Sequence, residues 1–334
     1  MVTITSLAKD ERSARIVLAA TAEPNDSRTG RLIAAVGAVD TVRLAQSDGA
    51  LPTVLDSMEG ELWRRQLAPR LLVPVVETAR RETDKFGLHV LIPGDKDWPT
   101  GLDALGDREP VALWTKGASS LLSMPLRDRV TISGARAATS YGVQVTTELA
   151  GELSNEELFI VSGGAYGVDA AAHKAALSVG GSTIAVMAGG LDRPYPSGNS
   201  DLLSRVADLG VLVSEMPPGA APTKWRFLAR NRIMAALSAA TIIPEAGYRS
   251  GSLHVAKEAR DLGRPVGAVP GPITSAASAG THRLIREGVA RIVTMTQDVR
   301  EMVEDPRPST GRSFGVASPA QRRAAPSSSP QRSL

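Results

Sequence analysis

Hydrophobic positions along this chain change their period near residue 88. Before that point apolar residues fall at helical spacing, with Leu32, Ile33, Val36, Val39, Val42 and Leu44 in one stretch and Leu62, Trp63 and Leu67 in a second. Gly49, Pro52, Pro69 and Pro74 punctuate the region, so residues 1–80 read as a small domain of short helices. Beyond it come short β-rich runs at 89–93, 111–115, 129–133, 159–163, 183–187, 211–215, 240–245, 265–270 and 291–294. Most of the later ones are separated by helical segments at 143–153, 170–179, 202–209, 231–237, 252–262 and 283–287. Continuously apolar strands that alternate with helices require a parallel sheet covered on both faces. The spacing therefore predicts a Rossmann-like, doubly wound α/β domain over residues 81–305 with a mainly parallel sheet. Such sheets take ligands in the loops beyond the carboxyl ends of their strands.

Residues 306–334 are Pro, Ser, Ala and Arg with few core-forming side chains, a composition expected to stay disordered. They also distort the charge count. The 334-residue chain has 38 basic and 35 acidic residues, but five of the arginines lie in this tail, which has no acid. The remainder holds 33 basic against 35 acidic residues, so any anion site must arise from local clustering. There is no Cys, which excludes disulfides and thiolate metal sites and points to a reducing compartment, the cytoplasm. The four His are scattered without metal-ligand spacing, so no metal or cofactor is expected. The start carries acids and no apolar run of the signal-peptide kind, and no long apolar segment suggests a membrane span.

Four strand ends carry unusual chemistry. After 129–133 comes Gly134-Ala135-Arg136, leading into a helix, a turn that offers backbone N–H groups and a guanidinium to an anion. After 159–163 comes Gly163-Gly164-Ala165-Tyr166-Gly167-Val168-Asp169; the glycine spacing fits neither the dinucleotide fingerprint nor a phosphate-binding Walker loop. Asp169 suits the N-cap of the next helix, with His173 one turn along, a pairing whose structural reading outweighs a functional one. After 211–215 comes Lys224-Trp225-Arg226-Phe227-Leu228-Ala229-Arg230-Asn231-Arg232, with no acid between Glu215 and Glu245. Interleaved cations and aromatics are the mixture that phosphate neutralisation and base stacking require. After 240–245, Ser250-Gly251-Ser252 begins a helix with groups suited to phosphate, while Glu245 would hold Arg136, Arg230 or Arg232 in place rather than face the ligand.

The blocks GARAATSYG, SGGAYGVDAAAHKAAL, AGGLDRPYPSGN, SEMPPGAAPTKWRFLARNRIMAALS, EAGYRSGS and AVPGP…GTHRLIREG run in one order over about 105–295. In that order they resemble the DNA-processing protein A (DprA, or Smf) family. The helical N-terminus is similar to the small helix-hairpin-helix (SAM-like) domain of many members. The resemblance implies an extended Rossmann fold, single-stranded DNA binding without turnover, a homodimer, and help in loading the RecA recombinase during natural transformation. Carried onto this chain, it implies a DNA site of Gly134, Arg136, Gly163, Gly164, Lys224, Phe227, Arg230, Asn231, Arg232, Ser250, Gly251 and Ser252, with Asp169 and Glu245 in support. Two departures stand out: Leu228 follows Phe227 where many members have Pro, and the tail is too short for the C-terminal winged-helix-like domain that many carry. The alternative is a nucleotide-processing enzyme related to phosphoribohydrolases, but PEAGYRSGS interrupts the loop pattern such enzymes use.

Overall fold

A computed structural model of the chain describes residues 2–305, so the tail expectation for 306–334 lies outside the described residues. The first part is helical: α1 (Ile4–Leu7), α2 (Glu11–Thr21), α3 (Ser27–Ala45), α4 (Ser57–Leu67) and α5 (Val73–Lys85). Helix α3 breaks at Gly37, whose φ of +81° is a conformation that glycine adopts without a steric cost. These helices bury Leu18, Leu32, Val42, Trp63 and Val76 in a core of their own. They also dock on the rest of the chain. Gly30 lies flat against the Asp107 backbone, Arg12 pairs with Asp95, and Arg226 pairs with Glu23 at 3.3 Å.

All nine predicted strands form and join one sheet: β1 (His89–Leu91), β2 (Leu113–Gly117), β3 (Arg129–Ile132), β4 (Phe159–Ser162), β5 (Thr183–Met187), β6 (Val211–Ser214), β7 (Ala240–Ile243), β8 (Val266–Ala268) and β9 (Arg291–Ile292). Their order is β1-β2-β6-β5-β4-β3-β7-β8-β9, antiparallel at β1-β2-β6 and parallel elsewhere. Neighbouring residues of one strand feed opposite cores, as with Ile160 and Val161 of β4, or Ile184 and Ala185 of β5. Helices cover both faces: α6 (Ser140–Asn155), α7 (Val168–Ser178), α8 (Ser200–Leu209), α9 (Lys224–Ala236), α10 (Ser252–Asp261), α11 (Ala279–Arg286) and α12 (Thr296–Glu304). The fold is thus the doubly wound α/β class that the strand pattern predicts.

The topology itself selects a binding place. The chain enters the parallel sheet at β3, runs outward through β4, β5 and β6, then returns to β7 on the other side of β3 and runs outward again. Loops leaving β3 and β4 on one side and β7 on the other diverge there, which opens a crevice at their carboxyl ends. One boundary differs from expectation. Helix α9 begins at Lys224, capped by the Thr223 hydroxyl on the Arg226 N–H, so the basic segment is the first two turns of a helix and not a loop before it.

Candidate nucleic-acid interface

A cavity of about 900 Å³ occupies that crevice. Its walls come from the three loops and the start of α9, and include Gly134, Arg136, Asp169, Lys224, Phe227, Arg230, Asn231, Ser250, Gly251 and Ser252. Most of the predicted residues are therefore brought together. Helical geometry explains the share from α9: Lys224, Phe227, Leu228 and Asn231 recur every three to four residues on one face. Arg226 lies on the opposite side, between Glu23 and the Ala221 carbonyl.

The charge balance of the cavity is one-sided. Arg136, Lys224, Arg230 and Arg249 line it, against Asp169 as the one carboxylate among its described walls. Asp169 is already engaged, accepting from Ser133 Oγ at 3.0 Å and weakly from the Ala165 N–H at 3.4 Å. Arg230 is the unusual member. It is only 7% exposed, donates from Nη1 to the Val186 carbonyl at 2.8 Å, and leaves Nε without an acceptor. Burial lowers its pKa from the usual guanidinium value, and Arg136 pushes the same way against the pull of Asp169. Both Arg136 and Arg230 sit over the Phe227 ring, 4.7 and 5.8 Å from its centroid. Phe227 thus gathers two cations at the mouth through the ring's quadrupole. Tyr195 meets the same ring edge-on at 6.0 Å.

The two glycines after β4 act from behind. Gly163 backs directly onto the Arg230 guanidinium, and any Cβ there would overlap Nη1. Gly164, at φ +70°, packs against Leu203. Neither lines the large cavity; Gly163 instead seats Arg230, while a Cβ at Gly134 would come within 2.6 Å of the Glu245 carbonyl and of Val168. Gly163→Ala is therefore expected to push Arg230 off Val186 and to weaken anion binding by roughly tenfold, with an overpacking cost of about 1–3 kcal/mol. Titration with a labelled oligonucleotide beside a melting curve checks this, and unchanged affinity would refute the seating role.

Three further expectations need correction. Asp169 does not cap α7; Gly167 holds that position and Asp169 is inside the first turn, where its carboxylate ties Ser133 and Ala165 across the crevice floor. Glu245 holds none of Arg136, Arg230 and Arg232. Its oxygens accept from the Thr139 N–H at 2.8 Å and hydroxyl at 2.6 Å, which secures the start of α6. Arg232 does not reach the cavity: it is 1% exposed and forks onto Glu215, both N–O distances being 2.7 Å. His173 is an interior strut, bonded to Thr183 Oγ1 at 2.8 Å, and burial, reinforced by Arg230, pushes its pKa down to about 3, so it is neutral. Sequence reasoning passed over Arg249 and Tyr195, although both stand in blocks it had marked.

Comparison with known proteins agrees with this architecture. The family described as DNA recombination-mediator protein A matches residues 89–304. The DNA processing protein DprA of Streptococcus pneumoniae is 44% identical over 219 residues, covering 66% of this chain and 75% of that protein. The X-ray structure of DprA from Streptococcus pneumoniae superposes with a TM-score of 0.69 at 32% identity, covering 89% of this chain and 97% of that one. A structure of DNA processing protein A from Helicobacter pylori, described for its single-stranded DNA binding mode, gives a TM-score of 0.59 at 34% identity, covering 66% and 97%. With the family matching residues 89–304 and a relative 44% identical over 66% of its length, the chain belongs to the DNA recombination-mediator protein A (DprA/Smf) family.

Proposed function

We propose that the chain is a non-enzymatic single-stranded DNA-binding protein of DNA processing and recombination, with the crevice beyond β3, β4 and β7 as its DNA site. The observation that carries this reading is Arg230, a buried guanidinium that opens on the cavity with no carboxylate in contact among the described residues. A buried cation is costly unless an anion completes it, and a phosphate of a strand supplies that anion. Arg136, Lys224 and Arg249 extend the same field at the rim, and the start of α10 at Gly251 and Ser252 adds polar groups. Single strands suit a cavity of this shape better than a duplex, because unstacked bases can enter it and lie against Phe227 or Tyr195.

The finer parts of the proposal follow the family: a cytoplasmic homodimer that protects processed or incoming strands and helps load the RecA recombinase. No described helix is long and apolar enough to cross a membrane. Light scattering with and without an oligonucleotide of ~35 bases, long enough for more than one site, reports subunit number and strand stoichiometry together. In parallel, Arg136→Ala is expected to weaken single-strand binding by roughly 1–3 kcal/mol and to flatten its salt dependence. Equal affinity for a duplex of the same sequence, or no binding of either, would overturn the reading.

A further inference from the structure

A second groove, of about 410 Å³, lies on the other side of the first turn of α9. It runs between that turn and the helical N-terminal part, where the α2–α3 connection and α4 form its far wall. Lys224 lines the DNA cavity, and the next residue, Trp225, lines this groove. The two spaces are thus neighbours across a single residue step of one helix.

Three features of the groove ask for a ligand. First, Trp225 is 52% exposed, whereas Trp63, Trp98 and Trp114 are all buried. A large aromatic surface left in water beside a cationic cavity is the element that single-strand sites use to stack bases. Second, Asn25, held at φ +65° in the groove wall, has a buried Oδ1 with no donor. A buried acceptor left alone is costly, and a turn of the side chain toward the groove would let the ring N–H or exocyclic amine of a base satisfy it. Third, the groove's carboxylates are already neutralised. Glu23 is paired with Arg70 at 3.1 Å and Arg226 at 3.3 Å, and Asp26 with Arg28 at 3.0 Å. Arg28 and Arg70 line the groove against its two carboxylates and Arg226 adds a third guanidinium behind Glu23, so a polyanion meets no net repulsion there.

We propose that a single strand continues past Lys224, stacks a base on Trp225 and enters this groove, where Asn25 accepts a hydrogen bond from a base. The helical N-terminal part then supplies one wall of an extended strand path. This extension rests on the single-strand reading of the first cavity. It accounts for Trp225 and Asn25, which that cavity does not use.

Trp225 is the exposed tryptophan of the groove; Trp63 also borders it but is fully buried, so the part of the quenching that Trp225→Ala removes reports on Trp225. Oligothymidylates of about 4 to 16 nucleotides, the range of single-strand sites, would be titrated into the full chain, following anisotropy for binding and tryptophan emission for contact with Trp225. The shortest are expected to bind with little change in emission, and the longer ones to quench it. Trp225→Ala should weaken the longer oligomers on the order of tenfold and the shortest less than twofold, with Trp225→Phe restoring most of the loss. If long oligomers bind but leave the emission and the Trp225→Ala affinity unchanged, the second subsite is overturned and the first cavity stands. If no length binds, the single-strand reading itself fails, and the extension with it.

Discussion

Arg230→Met should remove most of the single-stranded DNA affinity while leaving the melting temperature unchanged or higher. A charge-assisted contact in a shielded site contributes about 1.5–3 kcal/mol, so a loss between tenfold and a hundredfold is expected. The dependence of log K on log salt should also flatten by about 0.7, one phosphate on a single strand. Stability moves the other way because the free protein gains little from this charge. Arg230 is desolvated, its Nε has no acceptor among the described residues, and the pull of Asp169 is opposed by Arg136. Methionine fills similar space without that penalty, and the one bond lost is Nη1 to the Val186 carbonyl. Residues that cost stability until a ligand arrives are a mark of binding sites. In the wild type, saturating DNA should therefore raise the melting temperature, and in Arg230→Met much less. Thermal denaturation with and without oligonucleotide reads both effects. A variant that melts lower but still binds fully would make Arg230 a structural residue and remove the main support for the site.

The fold was largely legible because its signal is repetitive. Nine apolar runs, most of the later ones separated by helical stretches, leave few arrangements besides a doubly wound sheet, and once the sheet is given, its switch point fixes where the crevice opens. The site was legible to the level of segments but not always of side chains. Glycine-rich turns announce close backbone approach, yet whether the approaching group is ligand or protein is a tertiary fact. At Gly163 it is Arg230. The basic segment shows the limit most clearly. Read as an extended loop, all four of its cations can face one ligand. Wound into α9 at about 100° per residue, Lys224 and Arg230 face the cavity, while Arg226 and Arg232 are carried to partners distant in sequence. Those partners, Glu23 and Glu215, sit in segments whose local pattern gives no hint of the pairing. Glu245 was misread for the same reason, since its carboxylate answers a helix start 106 residues away in sequence.

Arg232 offers the sharpest separation of folding from binding. Glu215→Gln is expected to cost about 3–5 kcal/mol, because it strips the counter-charge from a guanidinium that is 1% exposed. For a chain of this size that is a fall of roughly 4–7 °C in melting temperature. Arg232→Met should be comparably damaging, since it also abandons the Arg108 carbonyl, which accepts from Nε at 2.8 Å, and the Ala229 carbonyl, which accepts from Nη1 at 2.9 Å. Replacing both partners together by Met and Leu should recover much of the loss, as an apolar pair leaves no charge unpaired. Below the new melting points, each of these variants is expected to bind single strands within about twofold of the wild type. The pair pins α9 to the end of β6 and to the 3-10 turn at Thr100–Arg108, and neither group lines the cavity. The same assays used for Arg230 decide the matter, with opposite outcomes expected. A Met at 232 that melts normally and loses DNA would place Arg232 on the strand, and the cavity would then have to open toward β6.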